Sequence, residues 1–288
     1  MRFLGLGMRD IKRRIKSVNS TKQITKAMEL VSSAKLRKAK EELEKTKPYF
    51  NAMEDTIRGI FANTKGIKHE FLTQRDVKKT AYIVITADRG LCGGYNSNVI
   101  KLANSHMAEK QNKSIIAVGA RGRDFFKKRD FDFDGEYTQL SETPSFSTAQ
   151  QISRLALELY KQGLVDEVNL VYTQFISTIN QKPTVKRILP LEISAEEGSK
   201  GSKTMIAYEP SPEAVLDYLV PKYVDGMVFG ALVESATSEQ AARRVAMESA
   251  TDNAEEMIGN LKLVYNRARQ ASITQEIAEI VGGAEALK

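Results

Sequence analysis

The sequence is poor in the residues that build redox, metal and disulfide chemistry. Its 288 residues include one cysteine, two histidines and no tryptophan. A single cysteine, Cys92, excludes an internal disulfide and any zinc or iron–sulfur site made of several cysteines. The histidines, His69 and His106, belong to no recognisable catalytic triad or metal-ligand spacing. We therefore predict no catalytic residue, metal or cofactor site in this chain, and a reducing compartment.

Long apolar runs are also missing. No stretch of about 18 apolar residues is present, so the sequence predicts no membrane span. The opening "MRFLGLG" is too short for the apolar region of a signal peptide, and export is not expected. With seven prolines and 27% charged residues, the composition is typical of an ordered, helix-rich protein with one large domain or two modest ones.

Charge is distributed unevenly between the two ends of the chain. Residues 8–40 contain eleven basic residues and two acidic ones. The last 65 residues contain ten acidic residues and six basic ones. The net charge of +7 is therefore concentrated near the N-terminus, and the two ends have opposite charge.

The N-terminal segment has the pattern of a long amphipathic helix. Residues 8–47 contain no glycine or proline, and we predict a helix that bends at Pro48 and resumes to about residue 61. Its apolar positions recur at three- and four-residue steps: Ile11, Ile15, Val18, Ile24, Met28, Val31, Leu36, Ala39 and Leu43.

The C-terminal segment predicts a second long helix, beginning after Pro221 and ending at Gly282–Gly283. Small residues dominate the first half of its predicted seam, which includes Ala242 and Ser249. Small side chains allow another backbone to approach closely.

Two such helices, extending about 75 and 85 Å, are too long for a compact domain. We predict that they pair as an antiparallel coiled coil. The alternative is a bundle of shorter helices interrupted by turns. The predicted domains are residues 1–61 (first long helix), 62–220 (central domain with linkers) and 221–288 (second long helix).

The middle of the chain alternates between short β-rich runs and helical runs, an order that implies parallel strands and a Rossmann-like α/β domain of about five strands. The predicted strands are residues 79–88, 113–120, 165–177, 183–192 and 203–210. A short helix is predicted for residues 213–221, and exposed loops for residues 66–79 and 194–203.

The stretch "ITADRGLCGGYNSN" resembles a nucleotide-binding turn but lacks its fingerprint. Neither the G-x-G-x-x-G pattern nor the P-loop is present, although Gly90, Gly93 and Gly94 follow a strand. Asp88 would repel a phosphate. A tight turn without a ligand is the preferred interpretation, with Cys92 as a small buried side chain rather than a nucleophile.

Three long motifs resemble the γ-subunit family of F-type ATP synthases. They are "IKSVNSTKQITKAMELVSSAKLRKA" near the N-terminus, "ITADRGLCGGYNSN" in the centre, and "SEQAARRVAMESATDNAEEMIGNLKLVYNRARQASITQEIAEIVGGAEAL" at the C-terminus. The resemblance covers essentially the whole chain. The lack of an organelle-targeting segment before the first motif favours a bacterial member.

The resemblance implies a rotor shaft without an active site of its own, which couples ion-driven rotation of a membrane c ring to ATP synthesis or hydrolysis at β subunits. The implied partners are the α and β subunits, the ε subunit and the c ring, and the implied location is the cytoplasmic side of a bacterial inner membrane, reached only through the complex. Implied β-subunit contacts are Met28, Arg89, Arg243, Arg267 and Gln270. Implied c-ring contacts are Tyr208 and Glu209.

Two other classes of function are an enzyme with its own nucleotide site and a nucleic-acid binder. An enzyme that used the α/β domain as a nucleotide site would need a phosphate loop or convergent catalytic residues, which the sequence does not contain. A basic coiled-coil nucleic-acid binder would explain residues 8–40. That segment has no interleaved aromatic residues, however, and the acidic second helix would repel phosphate. We therefore predict no nucleic-acid partner.

Overall fold

A computed structural model describes residues 7–63, 69–73, 75–139, 144–191, 209 and 211–286. The chain divides into two compact units. We call Met1–Ser32 with Arg244–Lys288 the helical unit, and Ser33–Arg243 the α/β unit. Two long helices, α1 (Met8–Asn63) and α5 (Pro212–Ala286), each contribute a segment to both units.

The α/β unit is built on one five-stranded mixed sheet. Its strands are β1 (Lys79–Ile85), β2 (Asn112–Val118), β3 (Asp132–Tyr137), β4 (Glu167–Phe175) and β5 (Gln181–Leu189), in the spatial order β3-β2-β1-β4-β5. The pairs β2–β3, β1–β2 and β1–β4 are parallel, whereas β4–β5 is an antiparallel hairpin. This confirms the predicted Rossmann-like α/β class.

Helices cover both faces of the sheet, as parallel strands require. Helices α2 (Tyr95–Ala108) and α3 (Ala120–Lys127) pack on one face, where Tyr82 and Val84 point. Helix α4 (Phe146–Lys161) and the start of α5 pack on the other face, against Ile83 and Ile85. Each face therefore has its own apolar core.

Helix α5 begins earlier than predicted, because it runs through Pro221. Leu216, Val220 and Val224 lie on both sides of this proline and are fully buried in one core cluster. Their continuous burial offsets the loss of one backbone hydrogen bond at the proline. The predicted short helix at residues 213–221 is thus the first part of α5. Helix α1 likewise passes through Pro48 without a break.

In the helical unit, α1 and α5 form the predicted antiparallel pair. Thr25 and Thr251 share a hydrogen bond of 2.8 Å, and Lys22 lies 2.9 Å from Glu255. Residue numbers therefore decrease along α1 as they increase along α5, so the two helices are antiparallel. Buried or half-buried residues of α5 recur at steps of four and three from Met247 through Thr251, Ala254, Ile258, Leu261, Tyr265 and Ala268. This is the 3.5-residue repeat of a coiled coil.

The predicted seam was wrong in part of each helix. Ile24 is 60% exposed and Val31 54% exposed, whereas Thr25 and Ser32 are buried. On α5, Ser249 is exposed and Thr251 is buried. The repeat places small polar residues at the contact, where the Thr251 hydroxyl donates a hydrogen bond to the Thr25 hydroxyl. The prediction relied on apolar spacing alone and therefore placed the helix contact on residues one or two positions away.

Two further expectations for the α/β unit need correction. Strand β3 was not predicted, while the predicted strand at residues 203–210 lies outside the described residues except for residue 209, as does the predicted loop at 194–203. The segment 66–79 is not an exposed loop at its centre, since His69 and Phe71 are buried. His69 accepts a hydrogen bond from the Phe71 N–H and lies 3.1 Å from Asp217.

Candidate functional site at the carboxyl edge of the sheet

The strand order reverses between β1 and β4, and their parallel carboxyl ends meet at one edge of the sheet. In open α/β sheets this reversal point is where small ligands and cofactors bind. The glycine turn, which we define as residues 88–94, directly follows β1 at this edge. A nucleotide held by the glycine turn would therefore lie at this edge of the sheet.

Helix α5 supplies the groups that face β4 at this point. The Thr173 N–H donates to Ser235 Oγ at 3.4 Å, and Ser238 Oγ donates to the Thr173 carbonyl oxygen at 3.2 Å. Ser235 and Ser238 are fully buried. The end of β4 thus bonds to the chain's own helix at the position where a cofactor would lie in a dinucleotide-binding protein.

The N-terminus of α3, which could attract a phosphate, is occupied by a carboxylate of the chain. Asp88 Oδ1 accepts the Ala120 N–H at 2.8 Å. Thr86 Oγ1 accepts the Gly122 N–H at 2.9 Å. A negative side chain here satisfies the orphan donors and the positive end of the helix dipole. Asp88 therefore occupies the end of α3 that a phosphate would otherwise approach.

The glycine turn is held against α2 by Asn96. The Asn96 side chain accepts the Ala87 N–H at 2.8 Å and donates to the Arg89 carbonyl oxygen at 3.4 Å. Leu91 has a φ of 61° and is 64% exposed, and Gly93 has a φ of 57°. A leucine in the left-handed region is strained, so the surrounding contacts must hold it there. The side chain of Arg89 is exposed on the same turn.

Cys92 faces inward from this turn, as predicted. It is 2% exposed and packs with Ala87 and Tyr95, while Ala242 of α5 lies against the same cluster. Burial raises the pKa of the Cys92 thiol, and burial also raises the pKa of the Tyr95 hydroxyl, with Glu239 adding to both increases. Both groups therefore stay protonated at neutral pH, which is unsuited to a nucleophile.

Arg243 does not lie on the surface with Arg89. Its side chain is 8% exposed, and its Nη2 lies 2.6 Å from Oε1 of Glu239, which is completely buried. The same nitrogen donates to the Gly90 carbonyl oxygen at 3.5 Å. The structure therefore brings Arg243 and the glycine turn together, but on the inner side of the turn.

The other predicted contact residues lie elsewhere. Met28, Arg267 and Gln270 belong to the helical unit, where Met28 is half-buried and the other two are exposed. Glu209 is exposed in the α/β unit, and Tyr208 lies outside the described residues. Met28, Arg267 and Gln270 therefore belong to a different unit from the glycine turn.

The histidines fit structural roles rather than catalytic ones. His106 Nδ1 lies 2.9 Å from the Tyr82 hydroxyl oxygen, and His69 lies against Asp217 and Phe71. Across the described residues, no group of three or more His, Cys, Asp or Glu side chains is placed to hold a metal ion.

Sequence reasoning missed an apolar stripe near the end of α5. The stripe consists of Ile273, Ile277, Ile280 and Val281, all of which are exposed. The pairs Thr25–Thr251 and Lys22–Glu255 set a register that places Met8 near residue 268, so the stripe lies beyond the described part of α1. The spacing i, i+4, i+7, i+8 was readable in the sequence. Its exposure was not, because that depends on where the partner helix begins.

Substitution of Ala242 and of Ser249 by leucine should have unequal effects. Ala242→Leu inserts volume beside Cys92 and Tyr95 and should destabilise the chain by about 1 to 3 kcal/mol. Ser249→Leu should change the free energy of unfolding by less than about 0.5 kcal/mol, because Ser249 is exposed. Urea titrations of the two single variants test this difference. Equal destabilisation by both changes would contradict the packing described here.

The chain is similar to known proteins along almost its whole length. The model of the ATP synthase family matches residues 7–287. The ATP synthase gamma chain of Alkaliphilus metalliredigens is 67% identical, with 99% of this chain and 100% of that protein covered. The sodium-ion-specific ATP synthase gamma chain of Acetobacterium woodii is 52% identical over 97% of this chain and 98% of that protein.

Chains from two solved structures have a fold similar to that of this chain. A chain of the Euglena gracilis mitochondrial ATP synthase, from an OSCP/F1/c-ring structure, aligns with a TM-score of 0.72 at 23% identity and covers 97% of this chain and 94% of its own. A chain from the central stalk and c ring of the Tetrahymena thermophila enzyme aligns with a TM-score of 0.60 at 24% identity, covering 79% and 99%. With the family model and the close relatives, these matches show that the chain belongs to the ATP synthase gamma-chain family.

Proposed function

We propose that this chain is the central rotor shaft of an F-type ATP synthase and couples ion-driven rotation of the c ring to conformational changes at the catalytic β subunits. The antiparallel helix pair of the helical unit is the observation that carries the proposal. The part of α5 after residue 243 alone extends about 65 Å, which exceeds the core of a small domain. A pair of this length fits a position inside or between other subunits.

The surface of the helical unit supports contact with a surrounding ring of α and β subunits. Its seam includes the small polar residues Thr25, Ser32 and Thr251, while several large apolar side chains are exposed. These outward residues are Ile24, Leu30, Val31, Met257 and Leu263. Apolar side chains directed away from the helix contact fit a partner surface better than solvent.

The apolar stripe of Ile273, Ile277, Ile280 and Val281 fits the tip of such a shaft. A helix with an exposed apolar stripe can turn within an apolar sleeve without forming fixed polar bonds. Non-directional contact of this kind allows rotation, because burial energy depends on area rather than on a particular partner atom. The sleeve would be formed by the α and β subunits.

The α/β unit supports a structural role with no active site of its own. Members of this family are subunits of an enzyme complex. In this chain, Ser235 and Ser238 bond to the end of β4, and Asp88 caps α3. The usual cofactor position therefore serves to attach α5 to the sheet. We assign ATP chemistry to the β subunits.

The proposed contacts with β are Arg89 on the glycine turn, Arg267 and Gln270 on α5, and Met28 on α1. Arginine suits a contact that forms and breaks at each rotational step, since its planar group pairs with carboxylates and stays charged at any working pH. Differential contact with successive β subunits would then bias their conformations and nucleotide affinities. The proposed β contacts are therefore weak and reversible.

At the membrane end of the shaft, Glu209 and its sequence neighbour Tyr208 are the proposed contacts with the c ring. The ε subunit would bind near this end. No described helix has a stretch long and apolar enough to cross a bilayer. We propose that the chain associates with the cytoplasmic face of a bacterial membrane only through the complex.

Co-purification tests the proposal most directly. The tagged chain, isolated from its own host, should bring α- and β-type ATPase subunits and the c ring with it. Cysteines introduced at Glu209 should cross-link to c-subunit loops in the intact complex, while cysteines at Gln270 should cross-link to α or β. Glu209 cross-links confined to α or β would place the membrane end elsewhere on the chain.

Arg89→Ala should slow ATP turnover of the assembled complex while leaving the isolated chain folded. An exposed ion pair of about 0.2 to 1 kcal/mol corresponds to a decrease of up to about five-fold, and water exclusion would enlarge it. Steady-state hydrolysis by the purified complex measures the effect. Arg123→Ala is the matched control, because Arg123 pairs locally with Asp124 on α3. Nucleotide binding by the isolated chain that was lost in Arg89→Ala would instead indicate a phosphate site.

A further inference from the structure

Arg243 is buried, and its contacts explain why a charge is present there. Glu239, one helical turn earlier on α5, places Oε1 2.6 Å from Arg243 Nη2. Burial of an isolated charge is costly, so the carboxylate stabilises the guanidinium inside the protein. The guanidinium in turn reaches the Gly90 carbonyl oxygen, 3.5 Å from Nη2. The pair therefore links α5 to the glycine turn.

The backbone of the turn needs such a link. Leu91 follows the contacted carbonyl and has a φ of 61°, a conformation that costs energy for a bulky side chain. Asn96 holds the turn from α2 through Ala87 and Arg89, while Arg243 and Ala242 hold it from α5. The strained leucine thus lies between two supports on different helices.

We infer that Arg243 is a positioning residue which holds the glycine turn so that Arg89 and Leu91 project outward, rather than a contact with a partner subunit. Its 8% side-chain exposure leaves little surface for a partner to touch. The assignment of an outward partner contact rests on the proposed function. The link between Arg243 and the turn does not, because it is internal to the α/β unit.

The reactivity of Cys92 reports whether the glycine turn moves away from the protein interior. Cys92 is the only cysteine and is 2% exposed beneath the turn. Burial raises the pKa of its thiol, the Arg243 charge lowers that pKa, and the Glu239 charge raises it. Removal of Arg243 without opening would therefore raise the thiol pKa and slow labelling. Opening of the turn would speed labelling, so the sign of the change separates the two.

The test measures the rate at which a thiol reagent labels the full-length chain under native conditions, normalised to the rate in urea. Arg243→Ala should label at Cys92 about ten-fold faster or more than the wild type. Arg244→Ala, the adjacent arginine paired with Glu248 at 3.8 Å, should stay within about two-fold. A wild-type or slower rate for Arg243→Ala would overturn the inference.

A second reporter separates opening of the turn from loss of overall stability. In a Cys92→Ala background, Ala156→Cys places the only thiol in the buried face of α4. The double change Glu239→Gln with Arg243→Met, which leaves neither buried charge without its partner, should leave labelling of this thiol within about two-fold of its own reference. Equal acceleration at both positions would mean that Arg243 stabilises the whole unit and does not position the turn.

A charge-free variant keeps the test decisive if Arg243→Ala does not fold. Glu239→Gln with Arg243→Met preserves much of the volume, removes both buried charges and removes the donor to Gly90. It should fold and still label at Cys92 about ten-fold faster than the wild type. A folded double variant with a wild-type labelling rate would overturn the inference.

The assembled complex supplies the functional readout. If Arg243 acts through Arg89, then Arg243→Ala should decrease turnover, and adding Arg89→Ala should cause little further loss. Additive losses would show that Arg243 acts independently of Arg89 and would overturn its positioning role. Fast labelling of Cys92 combined with full activity of Arg89→Ala would leave the internal link intact and remove only the proposed β contact.

Discussion

A chain carrying Gly119→Ala should lose about 3 to 5 kcal/mol of stability, from backbone strain and overlap together. Gly119 has a φ of 91°, and a Cβ added there would lie 2.1 Å from the Thr86 carbonyl oxygen. This oxygen belongs to the backbone, so it cannot move aside as a flexible side chain would. The ends of β1 and β2 would have to separate, and with them the hydrogen bond from Thr86 N–H to the Val118 oxygen.

Two other glycines make this experiment quantitative. Gly163 also has a positive φ, 68°, but a Cβ there would meet nothing within 4 Å, so Gly163→Ala should cost about 1 to 2 kcal/mol. Gly259 lies in exposed helix with open space around it, and Gly259→Ala should stabilise by about 0.5 to 1 kcal/mol. Urea titrations should rank the three variants in this order. A cost for Gly119→Ala no larger than for Gly163→Ala would contradict the close approach.

The fold class was predictable because its main signals are local. The alternation of β-rich and helical runs indicated parallel strands, and the absence of proline and glycine from residues 8–47 indicated a long helix. Strand β3 was missed because "DFDGEY" is a charged edge strand, whose sequence lacks the apolar run of a central strand. Its strand conformation depends on pairing with β2, which its own residues do not indicate.

The candidate site was less predictable, since it depends on tertiary contacts distant in sequence. The absence of a phosphate fingerprint was readable around Gly90, Gly93 and Gly94. The role of Ser235 and Ser238 was not, because only the fold brings α5 to the end of β4. Arg243 was recognised by its resemblance to the family, whereas its burial beside Glu239 followed only from the structure. Sequence identifies a charged residue more readily than the direction in which it points.

Loss of the Glu239 carboxylate should be the other severe change. Glu239→Ala leaves the Arg243 guanidinium buried without its counter-charge, at a cost of about 3 to 5 kcal/mol. A deletion at the surface gives the control: Glu255 is 68% exposed and lies 2.9 Å from Lys22, and Glu255→Ala should leave the urea midpoint unchanged. Matched losses in both variants would show that burial does not govern the effect.

Removing both buried charges should recover most of that loss. In Glu239→Gln with Arg243→Met, neither charge of this pair remains to be desolvated, and the free energy of unfolding should return to within about 1 kcal/mol of the wild type or exceed it. The turn would still lack its donor to Gly90, so the double variant separates stability from positioning. A stable double variant whose complex turns over as slowly as Arg89→Ala would mean that the Glu239–Arg243 pair serves coupling more than folding. A double variant as unstable as Glu239→Ala would contradict this assignment, because packing and not charge would then account for the cost.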